Sequence, residues 1–148
     1  MILALAAVAL GAIDAAAEPL PGPVPVQVIE VVDGDTIRVA AQVWLDQTLT
    51  ISVRLRGVDT PERRSRCPAE REAAARAKAW VEARMAGGGL TLEQVDHDKY
   101  ARRAVARVRL GDGTDLASGL IKAGLARPYD GGHKAAWCDE SGSLREGA

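Results

Sequence analysis

One stretch limits the fold more than any other: Ile51-Ser52-Val53-Arg54-Leu55-Arg56-Gly57-Val58-Asp59-Thr60-Pro61-Glu62. Its alternation through Leu55 reads as a half-buried strand. Pro61 has no donor for a sheet ladder and pushes Thr60 toward an extended conformation. The strand must therefore run out into a loop here. That places Asp59 and Glu62 at its exit, beside the permanent cations Arg54 and Arg56. Two acids among guanidiniums suit metal-assisted chemistry on an anion better than they suit a core.

The strand has partners on its N-terminal side. Val26 to Val32 is apolar apart from Gln27 and Glu30, and Asp33-Gly34 is a strong turn signal. Thr36 to Val39 resumes the strand pattern. Ala40 to Thr48 reads as a hairpin tip carrying Trp44, after which Leu49 to Val53 alternates again. The first half is expected to be a three-stranded antiparallel meander. Pro68 opens a helix, with Ala69, Ala73, Ala77, Trp80, Val81 and Met85 at helical spacing. Glu70, Glu72 and Arg84 complement its dipole, and Gly87-Gly88-Gly89 stops it. Leu90 to Val95 reads as a fourth strand, Asp96 to Arg102 as a polar loop, and Ala104 to Leu110 as a fifth strand. Thr114 or Asp115 caps a second helix over Leu116 to Ala123, and the chain reads as loop after Leu125. Three strands, an inserted helix, two strands and a final helix define an α+β, mainly β, domain. The order resembles a five-stranded barrel of the oligonucleotide-binding (OB) type.

Residues 1–17 stand apart. Ile2 to Ile13 is an apolar run too short to cross a bilayer comfortably, and the small residues Ala15-Ala16-Ala17 follow. This reads as a signal peptide cleaved before Glu18, although no Lys or Arg precedes the run. Residues 18–25 hold four prolines and read as an extended tether. The folded domain is placed at 26–138 and a polar tail at 139–148.

Without Asp14 the acidic and basic side chains balance at 19 each, so global charge does not steer the chain toward nucleic acid. Local charge does. Arg54, Arg56, Arg63, Arg64 and Arg66 crowd one region, and fifteen of the 19 cations are Arg, the side chain that grips phosphate bidentately. Cys67 and Cys138 are too few for a zinc site. In an exported protein they suggest a disulfide, and in a reduced one two separate thiols.

Three groups carry the chemistry. In Asp33-Gly34-Asp35-Thr36 the turn does not require the second carboxylate at Asp35. Asp35 and Asp59 lie on neighbouring strands of the meander, where they can share a hard cation with the Thr60 carbonyl. Arg54, Asp59 and Glu62 combine a phosphate-binding cation, a ligand and a base for water. Asp98-Lys99-Tyr100-Ala101-Arg102 is a polar loop in which Arg102 offers a second phosphate clamp. His97 and His133 read as solvated, and Trp44, Trp80 and Trp137 as packing residues. Tyr129 reads either as packing or as a base-stacking platform.

Together, Asp-Gly-Asp-Thr, Arg-x4-Asp-Thr-Pro-Glu and Asp-Lys-Tyr-x-Arg on this strand order resemble the staphylococcal nuclease, or thermonuclease, family. The resemblance runs from about Val26 to Arg127. It implies a Ca²⁺-dependent nuclease that cleaves DNA and RNA and leaves 3′-phosphates. By the same resemblance Asp35, Asp59 and the Thr60 carbonyl hold the Ca²⁺, and Glu62 is the general base. Arg54 and Arg102 stabilise charge on the phosphoryl group, and Lys99 and Tyr100 contact a terminal phosphate. A secreted or periplasmic monomer with no stable protein partner is expected. The rival is a non-catalytic OB module that binds nucleic acid or protein.

The chain departs from the family pattern in several places. The hairpin between Thr36 and Arg54 is longer. Ala101 stands where glycine is usual. The basic loop after the glutamate is shortened to Arg63 to Pro68, and a C-terminal helix is expected to be missing. A Cys67–Cys138 bridge is expected to compensate by tying the tail to the loop beside Glu62.

Overall fold

The computed structural model describes residues 18–100 and 102–145. The expected signal peptide lies outside them. Seven strands and two helices follow in order: β1 (Val24–Asp33), β2 (Thr36–Trp44), β3 (Gln47–Leu55), β4 (Val58–Asp59), α1 (Pro68–Met85), β5 (Leu90–His97), β6 (Arg103–Arg109), α2 (Leu116–Lys122) and β7 (Arg127–Pro128).

Five strands close a barrel in the order β1-β2-β3-β6-β5. The meander pairs antiparallel, with Val28 opposite Val39 and Val39 opposite Ile51. β3 and β6 pair in parallel, Ser52 opposite Arg103 and Leu55 opposite Ala106. β5 returns to β1, Leu92 opposite Val24, and closes the barrel. This order, with α1 inserted after the third barrel strand, is the OB-fold expected from the sequence.

The alternation seen in the sequence turns inward. Ile37 and Val39 of β2, Val53 and Leu55 of β3, and Ala106 and Val108 of β6 are all buried. Burying one such Val, Leu or Ile contributes roughly 1.5–3 kcal/mol. α1 begins with Pro68, whose missing N–H costs nothing at the first position of a helix. It covers one end of the barrel through Ala73, Ala77 and Val81, spaced four residues apart. Asp115 caps α2, its side chain accepting from the Ser118 N–H at 2.8 Å.

Three expectations need correction. The hairpin tip is not Ala40 to Thr48. β2 and β3 run out to Trp44 and Gln47, and only Leu45-Asp46 turn, Asp46 taking a φ of 59°. The ladder there is held by backbone pairing, so the missing burial pattern did not signal a strand. Trp44 consequently lies 70% exposed at the tip and is not a packing residue. Residues 18–25 are not a free tether either. Val24 and Pro25 pair with Leu92 and Thr91, and the Leu20 N–H donates to the Val95 carbonyl at 2.8 Å. Proline is tolerated because it keeps its carbonyl as an acceptor, as Pro21 does for the Gln94 N–H at 3.0 Å.

Past Leu125 the chain mostly lacks regular structure, as expected, and residues 139–145 hold no helix. One short pairing does form there: Asp59 of β4 lies opposite Arg127 of β7. The Cys67–Cys138 disulfide forms as expected and fastens this segment to the start of α1.

Candidate active site

The turn between β1 and β2 is buried because nothing larger than glycine fits in it. A Cβ on Gly34 would lie 2.8 Å from the Ala77 Cβ and 3.0 Å from the Thr60 Cγ2. α1 and the Thr60 loop therefore press directly on the turn and hold Asp35 inside. The Leu55 N–H donates to the Asp35 carbonyl at 2.8 Å, and Thr36 pairs with Arg54. This register sets Arg54 beside Asp35.

The Arg54 guanidinium links the two carboxylates. Nη1 is 2.9 Å from Asp35 Oδ2, and Nη2 is 3.8 Å from Asp59 Oδ1. Nη2 also donates to the Val58 carbonyl at 3.3 Å. Asp35 is 5% exposed, Asp59 1% and Thr60 2%, so these are not solvated strand-end residues. Burying a carboxylate costs heavily unless cations and donors replace its water.

Asp59 is supplied with several. Its Oδ2 accepts from Trp137 Nε1 at 3.1 Å and from Arg127 Nη2 at 3.3 Å. Its Oδ1 lies 2.6 Å from Lys134 Nζ. This is the shortest of the ion pairs that Asp59 makes among the described residues. Lys134 Nζ also lies 3.2 Å from Glu62 Oε1 and so bridges the two carboxylates. Partial burial opposes charge on Lys134, but Asp59 and Glu62 outweigh it and hold the ammonium above the usual lysine range. Asp33, beside Asp35, is pushed up to about 6 by burial and by the Asp35 charge.

Glu62 is exposed, but its backbone is not free. Its N–H donates to Glu70 Oε1 at 2.9 Å, while the Ser65 hydroxyl donates to Glu70 Oε2 at 2.5 Å. The buried Glu70 carboxylate thus fixes the loop that carries Glu62.

A cleft of about 620 Å³ opens over this group, room enough for a nucleotide-sized ligand. Arg54, Glu62 and Lys134 form part of its wall, Tyr129 another, and Lys99 and Tyr100 the facing rim. Tyr129 lies under both cations, 5.7 Å from Arg54 and 5.8 Å from Lys134, measured from its ring centre. Its hydroxyl donates to the Gly132 carbonyl at 2.8 Å. The cleft and the buried carboxylates thus bring together Asp35, Arg54, Asp59, Thr60, Glu62, Lys99, Tyr100 and Tyr129.

Arg102 is not brought in. It is exposed, with a φ of 64°, and stands outside the cleft wall, while the next residue, Arg103, lines it. Arg103 pairs with Asp98 and lies over the Tyr100 ring at 4.8 Å. Burial disfavours the Asp98 charge, but this pairing prevails and holds its carboxyl below the usual range. His97 lies exposed on the cleft wall and His133 is exposed.

The donor chemistry fits a hard divalent cation. Asp35 and Asp59 are buried carboxylates and Thr60 is buried as well, oxygen donors of the kind such a cation takes. Among the described residues no three His, Cys, Asp or Glu side chains converge on one point, so carbonyls and solvent would complete the shell. Arg54 stands against both carboxylates and Lys134 against Asp59.

Four contributors were not assigned to the site from sequence: Glu70, Arg127, Lys134 and Trp137. Glu70 looked like a helix-dipole residue, and Trp137 like packing. One signal did point to the last two. A Cys138 bridge to Cys67, beside Glu62, carries the neighbouring Lys134 and Trp137 to the same place.

The family model described as staphylococcal nuclease homologue matches residues 52–141, more than half of the chain. No curated relative matches it.

Proposed function

The chain belongs to the staphylococcal nuclease homologue family, and on that premise we propose that it hydrolyses phosphodiester bonds of DNA and RNA in a Ca²⁺-dependent reaction that leaves 3′-phosphates. One observation carries this reading. Arg54 is held between two buried carboxylates and lines, with Glu62, the wall of a cleft.

Asp35, Asp59 and the Thr60 carbonyl would hold the Ca²⁺, which when bound supplies positive charge to the scissile phosphate. Glu62 takes a proton from water as its oxygen bonds to phosphorus. The bond from phosphorus to the 5′-oxygen breaks, that oxygen takes a proton from solvent water and leaves as a hydroxyl, and Glu62 returns its proton to solvent. Arg54 stays against the non-bridging oxygens as negative charge develops on them. Arg102 reaches the same phosphate from the rim when substrate fills the cleft. Lys99 and Tyr100 bind a neighbouring phosphate, and Tyr129 offers a face for a base. The Cys67–Cys138 bridge supports export to an oxidising compartment, with the protein secreted or periplasmic after loss of residues 1–17. The domain acts as a monomer.

The ion pairs on Asp59 favour a second reading, a non-catalytic OB module that binds nucleic acid. One experiment separates the two. Single-stranded DNA and RNA are incubated with the protein in Ca²⁺ or in chelator, and the products' ends are mapped. Calcium-dependent fragments with 3′-phosphates are expected. Retention of intact strands without cleavage would overturn the enzyme in favour of the module.

A further inference from the structure

The contacts of Lys134 go beyond what a phosphodiesterase site requires. Its ammonium lies 2.6 Å from Asp59 Oδ1 and 3.2 Å from Glu62 Oε1. A cation held through Asp59 would compete with the ammonium for that carboxylate and for the space between it and Glu62. We propose that Lys134 is a tethered counter-cation for Asp59 and Glu62, and that a divalent cation enters the site only by displacing it. The inference rests on the reading of Asp59 as a cation ligand.

Charge supports the exchange. Asp35, Asp59 and Glu62 face Arg54, Arg127 and Lys134, three charges against three. Adding a divalent cation with Lys134 in place would leave this ion-paired network, which Asp33 adjoins but does not join, with two positive charges in excess. Displacing Lys134 reduces the excess to one, which a single phosphodiester neutralises. The resting protein therefore keeps its buried Asp59 compensated, and cation and nucleic acid enter together.

Position makes the exchange feasible. Lys134 is on an irregular segment with its side chain about a third exposed, so it can swing into solvent. Arg127 and Trp137 remain on Asp59 Oδ2 when it leaves. Arg127 also donates to the Ala135 and Ala136 carbonyls, and the Cys67–Cys138 bridge closes the segment's far end. The ammonium is thereby returned to the same place when the cation departs.

The test is direct cation binding, with no turnover required. Ca²⁺ is titrated calorimetrically into the wild-type protein, Lys134→Met and Lys134→Met/Asp59→Asn, and thermal melting is followed with and without Ca²⁺. Lys134→Met is expected to bind Ca²⁺ roughly tenfold more tightly, about 1.4 kcal/mol, and to gain more melting temperature from it. The double variant is expected to lose both gains. A nonhydrolysable dinucleotide is expected to tighten Ca²⁺ binding more in the wild type than in Lys134→Met. Equal Ca²⁺ affinity in wild type and Lys134→Met would overturn the proposal and leave the cation site standing. Absence of Ca²⁺ binding to both, with melting showing both folded, would overturn the site reading and the proposal together.

Discussion

The buried carboxylate of Glu70 accepts the backbone N–H of Glu62 at 2.9 Å, so one acid positions another. Its second oxygen takes the Ser65 hydroxyl, and the loop from Glu62 to Ser65 is closed by the Ser65 N–H to the Glu62 carbonyl at 3.2 Å. Glu70→Ala leaves both donors without their acceptor. A stability loss of about 1–3 kcal/mol is expected in denaturant melts, with a larger proportional fall in kcat than in 1/KM. An unchanged kcat in a folded Glu70→Ala protein would remove Glu70 from the positioning of Glu62.

Gly34 is set by space, since its φ needs no glycine. Its missing Cβ lets Ala77 and Thr60 approach the turn that holds Asp35. Gly34→Ala is expected to destabilise by about 1–3 kcal/mol, the usual range for an overpacked interior. Ala77→Gly should recover part of that by opening the tighter of the two contacts, despite its own helix cost of about 1 kcal/mol. Melting curves of both single variants and the double variant measure the coupling, and strictly additive effects would refute it.

These relationships show what was legible beforehand. The barrel strands were, because Ile37, Val39, Val53 and Leu55 alternate against an apolar interior. So were both helices, through Pro68 and the Asp115 cap. The outer half of the β2–β3 hairpin was not, because ladder pairing without burial leaves no pattern. The cleft residues from Arg54 to Glu62 and from Lys99 to Tyr100 were legible as motifs. The partners of Asp59 were not. Arg127 is delivered by a two-residue pairing, and Lys134 and Trp137 by a segment held through a bridge 71 residues long in sequence. Long-range placement of that kind has no local periodicity to betray it.

Asp33 gives the stability a pH dependence of definite sign. Its carboxyl is pushed up to about 6 in the folded protein by burial and then by Asp35, against 3.8 in an unfolded chain. The folded state binds this proton more tightly, so the contribution is fully present below pH 3.8 and is lost as pH rises through about 6. Relative to Asp33→Asn, the wild type should lose stability across that window. A difference between the two proteins that stays flat from pH 4 to 6.5 would rule this out.

The Cys67–Cys138 bridge spans 71 residues of sequence. On the chain-entropy model a loop of that length stabilises by about 4 kcal/mol. Cys138→Ser should lower the melting temperature accordingly and loosen the segment that seats Trp137 on Asp59. Trp137 is buried, so its fluorescence should shift to the red in the native variant. An emission maximum identical to the wild type's would mean that Arg127 and the β4–β7 pairing alone hold the segment.

The two adjacent arginines, Arg102 and Arg103, divide the last question about the chemistry. Arg103 is committed: it pairs with Asp98 and lies over Tyr100, which shapes the rim proposed above to bind a neighbouring phosphate. Arg102 is exposed and uncommitted to the cleft wall, so only substrate gives it a reason to turn inward. A contact made only as charge builds on the phosphate lowers kcat when removed, whereas one made equally in the bound substrate raises KM. Arg102→Ala should therefore cut kcat roughly 10²–10³-fold with little change in KM. Glu62→Gln should do the same through loss of the base. Arg103→Ala should act mainly on KM. Single-turnover cleavage of a short oligonucleotide separates the two effects. If Arg103→Ala instead abolished kcat while Arg102→Ala left it intact, the clamp would belong to the residue that already lines the cleft.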